Sequence, residues 1–393
     1  MIFKFMKILF ITSSTTIHGG GSKAFMQMLY GLMSMGIEAL VILPNNDGLY
    51  QELDSNGIDC IALTNYRPSV YPWLNSTKDK LLFIPRLLGR LCVNNIATLQ
   101  LLKITRQFQP DIIHSNVSVT AIGYYVARIL QIPHVWHIRE YGDKDFNLHY
   151  YPCRGIQSNR YRAHNSYTIC ITKDIQEYNH LQNYNNSLVI YDGVLSLSNH
   201  KYVTNKGAYF LYAGRLEHAK GILPLIDAYA DYCSQHPAPL PLYVAGNGAT
   251  EYTQLVNNKI QQYNLDHKVV LLGMRDDIIS LYTYATALIV PSLSEGFGFI
   301  TAEAMFCGCL VIGNDTAGTK EQFDNGLEMT GEEIALRYSK QDELVQHLID
   351  VTNNPTKFYE PMILRGQHVA MKLYSAESHA THVYNFFHII FKK

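Results

Sequence analysis

The sequence predicts an α/β fold made of two doubly wound domains, each a parallel sheet with helices on its faces. Three observations carry this. Strand-like and helix-like patterns alternate from end to end. The strand-like segments are continuous apolar runs such as KILFIT, ALVILP and ALIVP, as expected where a parallel strand is buried on both sides. At 393 residues the chain is long enough for two domains of ordinary size.

In chain order, KILFIT, ALVILP, CIALT, DIIHS, HVWHI, YTICIT and SLVIY read as the strands of the first domain. Helical patterns over Ser22–Met35, Ile84–Gln107 and Val119–Leu130 separate them. The polar stretch SLSNHKYVTNKG, 196–207, reads as a linker. YFLYAG, PLYVAG, KVVLLG, ALIVP and CLVIG then supply a second set of strands, and an aromatic-rich helix closes the chain over Ala376–Phe391. The expected domains are therefore 1–195 and 208–375, with 376–393 as a terminal helix. No internal repeat or low-complexity tract interrupts this order.

Bulk properties narrow the function. Apolar residues at 47% and charged residues at 17% are those of a globular protein. A net charge of −1 gives no basic field for nucleic acid. Seven cysteines, an odd number scattered through apolar stretches, suit buried thiols in a reducing cytoplasm better than a disulfide framework. Cys307-Gly-Cys309 has no second pair at zinc-site spacing. The apolar start MIFKFMKILFITSS is only of strand length and lacks a cleavage site, so it reads as a first strand. No window reaches the ~18–20 apolar residues of a spanning helix.

The most informative stretch runs from Pro291 to Gly308. A buried strand leads into Glu295-Gly296-Phe297-Gly298-Phe299, and Glu303 follows eight positions after Glu295. Glycines let the backbone pass close to a ligand, and a helix opening near Gly298 presents N–H groups and a partial positive charge to a diphosphate. Carboxylates on the loop and in the helix can grip hydroxyls on either side of that phosphate.

This stretch resembles the E-x7-E signature of the retaining glycosyltransferases of family 4, the glycosyl transferases group 1. The resemblance implies the GT-B fold: two Rossmann-like domains facing across a cleft, with the last helix crossing back to the first. It implies transfer of a sugar, with retention, from a UDP- or GDP-sugar to a glycan or lipid-linked acceptor in surface polysaccharide or glycolipid synthesis. Neither a metal nor a cofactor is expected. Glu303 would hold the ribose and Glu295 the transferred sugar. YAGRLEHAKG resembles the family's G-R-x4-K-G segment, so Arg215 and Lys220 would clamp the diphosphate, one by a forked guanidinium and one as a point charge. IHGGGSKAF resembles the glycine loop of the first domain, where Gly19, Gly20 and Gly21 would bring backbone amides to the donor phosphate. In WHIRE, His137 matches the histidine facing the sugar, and Arg139 and Glu140 would orient it or the acceptor. Asn247 would lie near the phosphates, Met274 would meet the base through its backbone, and Ala317–Thr319 would approach the sugar. The chain departs from the family at Leu310, where proline is usual.

Gly19, Gly21 and Ala24 also fit the G-x-G-x-x-A of dinucleotide folds. Five residues separate them from the strand, however, and ALVILP ends without an acidic ribose ligand. Asp143-Lys144-Asp145 spells a metal–diphosphate motif, but it trails a polar loop rather than a strand. Two other classes stay open: a GT-B epimerase or hydrolase of sugar nucleotides, and a non-catalytic sugar-nucleotide-binding protein. Segment 78–108 mixes leucines with lysines and arginines. It reads as a core helix with a solvated basic side whose first turns offer a peripheral membrane contact on the cytoplasmic face.

Overall fold

Residues 6–17, 19–63, 66–72, 76–143, 148–150 and 153–392 are described by the computed structural model. They divide into two units, Met1–Gly193 together with Ala376–Lys393, and Val194–Ser375. The first holds strands β1 (Lys7–Ile11), β2 (Glu38–Leu43), β3 (Cys60–Ala62), β4 (Val70–Pro72), β5 (Ile112–Ser115), β6 (His134–Ile138), β7 (Leu148–Tyr150), β8 (Ser166–Cys170) and β9 (Ser187–Val189). Seven of them form one parallel sheet in the order β3-β2-β1-β5-β6-β8-β9. The short pair β4–β7, which no sequence pattern announced, is antiparallel.

Side chains alternate across this sheet, so β1 feeds two cores. Ile8 and Phe10 pack with Phe25, Met28 and Leu29 of the helix Gly20–Ser34. Leu9 and Ile11 pack on the other face with Leu101, Ile122 and Val126. The terminal helix Ala376–Phe391 joins the first of these cores through Val383, Phe386, Phe387 and Ile390. Its approach to the helix Gly20–Ser34 is close enough to require glycine. A Cβ on Gly31 would stand 2.4 Å from that of Ala380.

The second unit holds β10 (Phe210–Ala213), β11 (Leu242–Ala245), β12 (Val269–Gly273), β13 (Ala287–Val290), β14 (Leu310–Asn314) and β15 (Leu336–Tyr338). They form one parallel sheet in the order β12-β11-β10-β13-β14-β15. The strand β15 was not foreseen. Segment 196–207, expected as a linker, lies within this unit and is pinned to it: Lys206 Nζ donates to the Thr283 and Gly308 carbonyls, both at 2.7 Å. A polar composition here reflects backbone contacts made by side chains rather than freedom. Leu310 opens the strand opposite Ala287, buried at 1% exposure, so the absent proline leaves β14 intact.

Candidate active site

In each unit the expected site residues sit where strands end and helices begin, the carboxyl edge of a parallel sheet, where open α/β sheets hold ligands. In the second unit, β10 runs into Arg215 and Lys220, β11 into Asn247, β12 into Met274 and β13 into the Glu295 loop. Two of these loops are locked together. Gly221, at φ 68°, lies so close to the other loop that a Cβ would come within 1.9 Å of the Pro291 carbonyl oxygen. Lys220 Nζ thereby reaches Glu295 Oε1 at 2.9 Å. Ser292 Oγ donates to the same oxygen at 2.6 Å, and Gly318 N–H holds the Glu295 carbonyl at 3.0 Å.

The helix Phe299–Phe306 opens at Gly298, which takes φ 87° and leaves the N-terminus without a side-chain cap. Gln322 Nε2 fixes the turn by donating to the Phe297 and Gly298 carbonyls at 2.6 and 3.1 Å. Gly318 must be a glycine, because a Cβ there would meet the Phe297 carbonyl at 2.6 Å. Glu303, one turn into the helix, accepts from the buried Tyr282 hydroxyl at 3.1 Å. The loop thus brings together Glu295, Lys220 and the helix N-terminus. Arg215 instead pairs with Glu217 at 3.1 Å with its side chain largely exposed, and Met274 is exposed at 67%. Ser292 and Tyr282, which orient the two glutamates, carry no motif; a serine at the end of a strand and a tyrosine on a helix are too common to signal.

In the first unit Gly19 (φ 126°) precedes the helix Gly20–Ser34, whose start also lacks a side-chain cap. A Cβ on Gly21 would stand 3.8 Å from Arg139 Cδ, so the arginine runs beneath this turn. Arg139 is held by an ion pair to Asp192 and by contacts to Asn116 Oδ1 at 3.2 Å and His137 Nδ1 at 3.4 Å. Glu140 is turned inward, accepting from the Ser118 N–H and hydroxyl at 2.9 and 2.6 Å. His137, expected to face a sugar, is at 0% exposure. Its Nε2 lies 3.8 Å from Asp192 Oδ1, and His379 of the terminal helix approaches the same oxygen to 3.7 Å. The imidazole fits its buried partners because two elements unseen from WHIRE, the end of the first unit and the terminal helix, close over it.

Ligand atoms of His137, Asp192 and His379 lie within 4.8 Å of one another, a grouping that could hold a metal. The guanidinium of Arg139 supplies a positive charge at Asp192, while His137 Nε2 and both ring nitrogens of His379 are buried without a hydrogen-bond partner. Burial, reinforced by the Arg139 charge, holds His114, His137 and His379 well below the usual imidazole pKa, and burial alone takes His134 to about 3. Such histidines bind protons only when the chain unfolds. Their contribution to stability is complete above pH ~6.5 and is lost as pH falls, by about 1.4 kcal/mol per unit for each. The melting temperature is expected to be level above pH 7 and to drop steeply toward pH 5, with a shallower slope in His379→Phe. An unchanged melting temperature at pH 5 would refute this.

Arrangement and connectivity define the fold class: GT-B. Against solved structures, the chain superposes on Anabaena HepE in complex with UDP with a TM-score of 0.77 at 20% identity, covering 98% of this chain and all of that one. It superposes on sucrose-phosphate synthase of Thermosynechococcus elongatus with a TM-score of 0.73 at 18% identity, covering 98% and 99%. Residues 198–369, nearly the whole second unit, match the family model of the glycosyl transferases group 1. Among curated relatives, an uncharacterised glycosyltransferase of Methanocaldococcus jannaschii is 27% identical over 251 residues, 62% of this chain and 66% of the relative. D-inositol 3-phosphate glycosyltransferase of Corynebacterium jeikeium is 29% identical over 124 residues, 29% of each chain. The chain thus spans just under two thirds of the first relative and under a third of the second. Among the described residues, no helix is long and apolar enough to cross a membrane.

Proposed function

We propose that the protein is a retaining glycosyltransferase that takes a sugar from a UDP- or GDP-sugar and passes it to a glycan or lipid-linked acceptor at the cytoplasmic face of a membrane. The observation that carries the donor half is the Lys220–Glu295 pair beside the uncapped helix start at Gly298. A cation, two anchored carboxylates and a helix N-terminus at one sheet edge match the needs of a sugar diphosphate. In this reading Glu303 grips the ribose and Glu295 a hydroxyl of the transferred sugar. Lys220 and the helix dipole stabilise the charge that grows on the diphosphate as the glycosidic bond breaks. Arg215 swings from Glu217 to add a forked contact. Asn247 lies by the phosphates and Met274 by the base. No metal takes part in this scheme. The enclosed His137 serves by orienting Arg139 under the Gly19–Gly21 turn. Support for a nucleotide donor comes from HepE, which was solved with UDP and with UDP-glucose.

The test is a thermal-shift panel of UDP, GDP, ADP, NAD and their sugar conjugates on the intact chain and on Glu303→Ala. A ligand at 100 times its Kd stabilises by ~2.7 kcal/mol, which is readily seen. One uridine or guanosine diphosphate is expected to shift the intact chain and not the variant. No shift with any nucleotide diphosphate would sink the reading. Product analysis without acceptor separates the transferase from an epimerase or hydrolase, and an intact donor with every acceptor would indicate a binding protein.

A further inference from the structure

The face of the first sheet on which Leu9, Ile11 and Ile113 pack changes character toward β9. Register sets His134 beside Ile113, Ser166 beside His134, Thr168 beside Trp136 and Ser187 beside Thr168. Strands β6, β8 and β9 therefore continue that face with polar side chains, where an apolar cover would select valine or isoleucine. Ser166, Thr168 and His134 are 2%, 1% and 1% exposed, yet Ser166 Oγ, Thr168 Oγ1 and His134 Nδ1 have no hydrogen-bond partner. A buried polar atom left unpaired destabilises the fold, so three of them on one face call for a polar ligand.

Such a ligand has room. Ser166 and Thr168 line a cavity of about 320 Å³ together with Arg162, Tyr184, Asn185 and Asn186. That volume falls within the ~300–1,000 Å³ of small-molecule sites. Ser166 also walls a neighbouring cavity of about 360 Å³, lined by His134 and Arg128. Both lie toward the amino ends of β6, β8 and β9, the edge opposite to the one that carries Arg139 and Asp192. Among the described residues, neither cavity is lined by an aspartate or glutamate, and Leu181 is the one aliphatic side chain in the first. Arg162 Nη2 is fixed by the Asn179 and His180 carbonyls at 3.3 and 2.9 Å, while its Nε is buried without a partner. The guanidinium stands 5.0 Å from the centre of the half-exposed Tyr184 ring. A flat ring suits the C–H face of a pyranose, and hydroxyls and carboxamides suit its hydroxyl groups. A cation with no competing acid suits one negative charge.

We propose that this edge is a second saccharide site, which holds a pyranose bearing a carboxylate or a phosphate against Tyr184. Its anionic group meets Arg162, its hydroxyls meet Ser166 and Thr168, and the next sugar of the chain enters the cavity beside His134. The inference rests on the acceptor half of the reading above and names that acceptor as an acidic glycan. The five residues of β6 set the two edges about 15 Å apart, so a chain of sugars rather than a single one is needed to engage both. A glycan tethered at the far edge has its reacting end held at raised local concentration.

The experiment is a saturation-transfer NMR titration of the full chain with methyl glucuronide, glucose 6-phosphate and methyl glucoside. One of the two acids is expected to bind about tenfold more tightly than the neutral glucoside, because a hydrogen bond to a charged group is the stronger kind. Which acid it is tells a carboxylate from a phosphate. Arg162→Gln is expected to erase that preference, and the isosteric Thr168→Val to weaken binding of the acid about fivefold. Tyr184→Ala, which removes a half-exposed ring and leaves the core alone, is expected to weaken all three sugars. Nucleotide thermal shifts, read in the same variants, report the second unit. If they persist while neither acid binds, or while binding ignores all three substitutions, this proposal falls and the donor reading stands. Equal binding of methyl glucoside also overturns it. Binding of an acid by a chain that no nucleotide shifts would keep the site and sink the donor reading.

Discussion

A chain ending at Ser375 is expected to lose the folded first unit while keeping the second. The terminal helix places Val383, Phe386, Phe387 and Ile390 in the core that also holds Phe10, Phe25 and Met28, each of the four at 4% exposure or less. Burial of such side chains contributes about 1.5–3 kcal/mol each, on the order of 6–12 kcal/mol together. That is comparable with the whole stability of an ordinary domain, ~5–15 kcal/mol. Truncation also strips His379 from the enclosure around Asp192 and Arg139, admitting water to a buried ion pair. Calorimetry of the intact and shortened chains, with limited proteolysis to identify what survives, measures the effect. A first unit that still melts within a few degrees of its original temperature would contradict the packing argument.

Lys220→Ala is expected to lower kcat by 10²–10³ with little change in folding. The side chain is the cation paired to Glu295 at 2.9 Å. In the proposed reaction it faces a leaving group whose negative charge grows, and loss of one such contact costs about 3 kcal/mol in the barrier. The variant also leaves the largely buried Glu295 carboxylate with Ser292 as its hydrogen-bond donor. Ser292→Ala, which keeps the cation but frees the carboxylate to turn, is expected to have a smaller effect. Single-turnover rates with the nucleotide-sugar identified by thermal shift give the comparison. Full activity in Lys220→Ala would remove the lysine from the reaction.

Much of the fold was legible because parallel strands buried on both sides must be written as unbroken apolar runs. KILFIT, HVWHI and ALIVP became β1, β6 and β13 for that reason. The pair β4–β7 escaped notice because three residues are too few to show a period. The Glu295–Gly298 loop was legible because glycines and carboxylates at fixed spacing report backbone demands locally. His137 was identified as a residue but not in its setting. Its surroundings are Asp192 and His379, which come to it through the tertiary fold, and no window around WHIRE contains them.

The two places where the chain passes from one unit to the other run side by side. Val194 N–H donates to the Tyr374 carbonyl at 2.8 Å, and Leu195 pairs in parallel with Ser375. The second unit is therefore a cassette whose ends meet, set into a first unit that resumes at Ala376. Such a cassette can be lifted out and replaced without rethreading its host, and the host can be closed by joining Gly193 to Ala376 through a short bridge. The half bearing Glu295 and the half bearing His137 can thus be recombined as interchangeable parts, one exchanged while the other is kept.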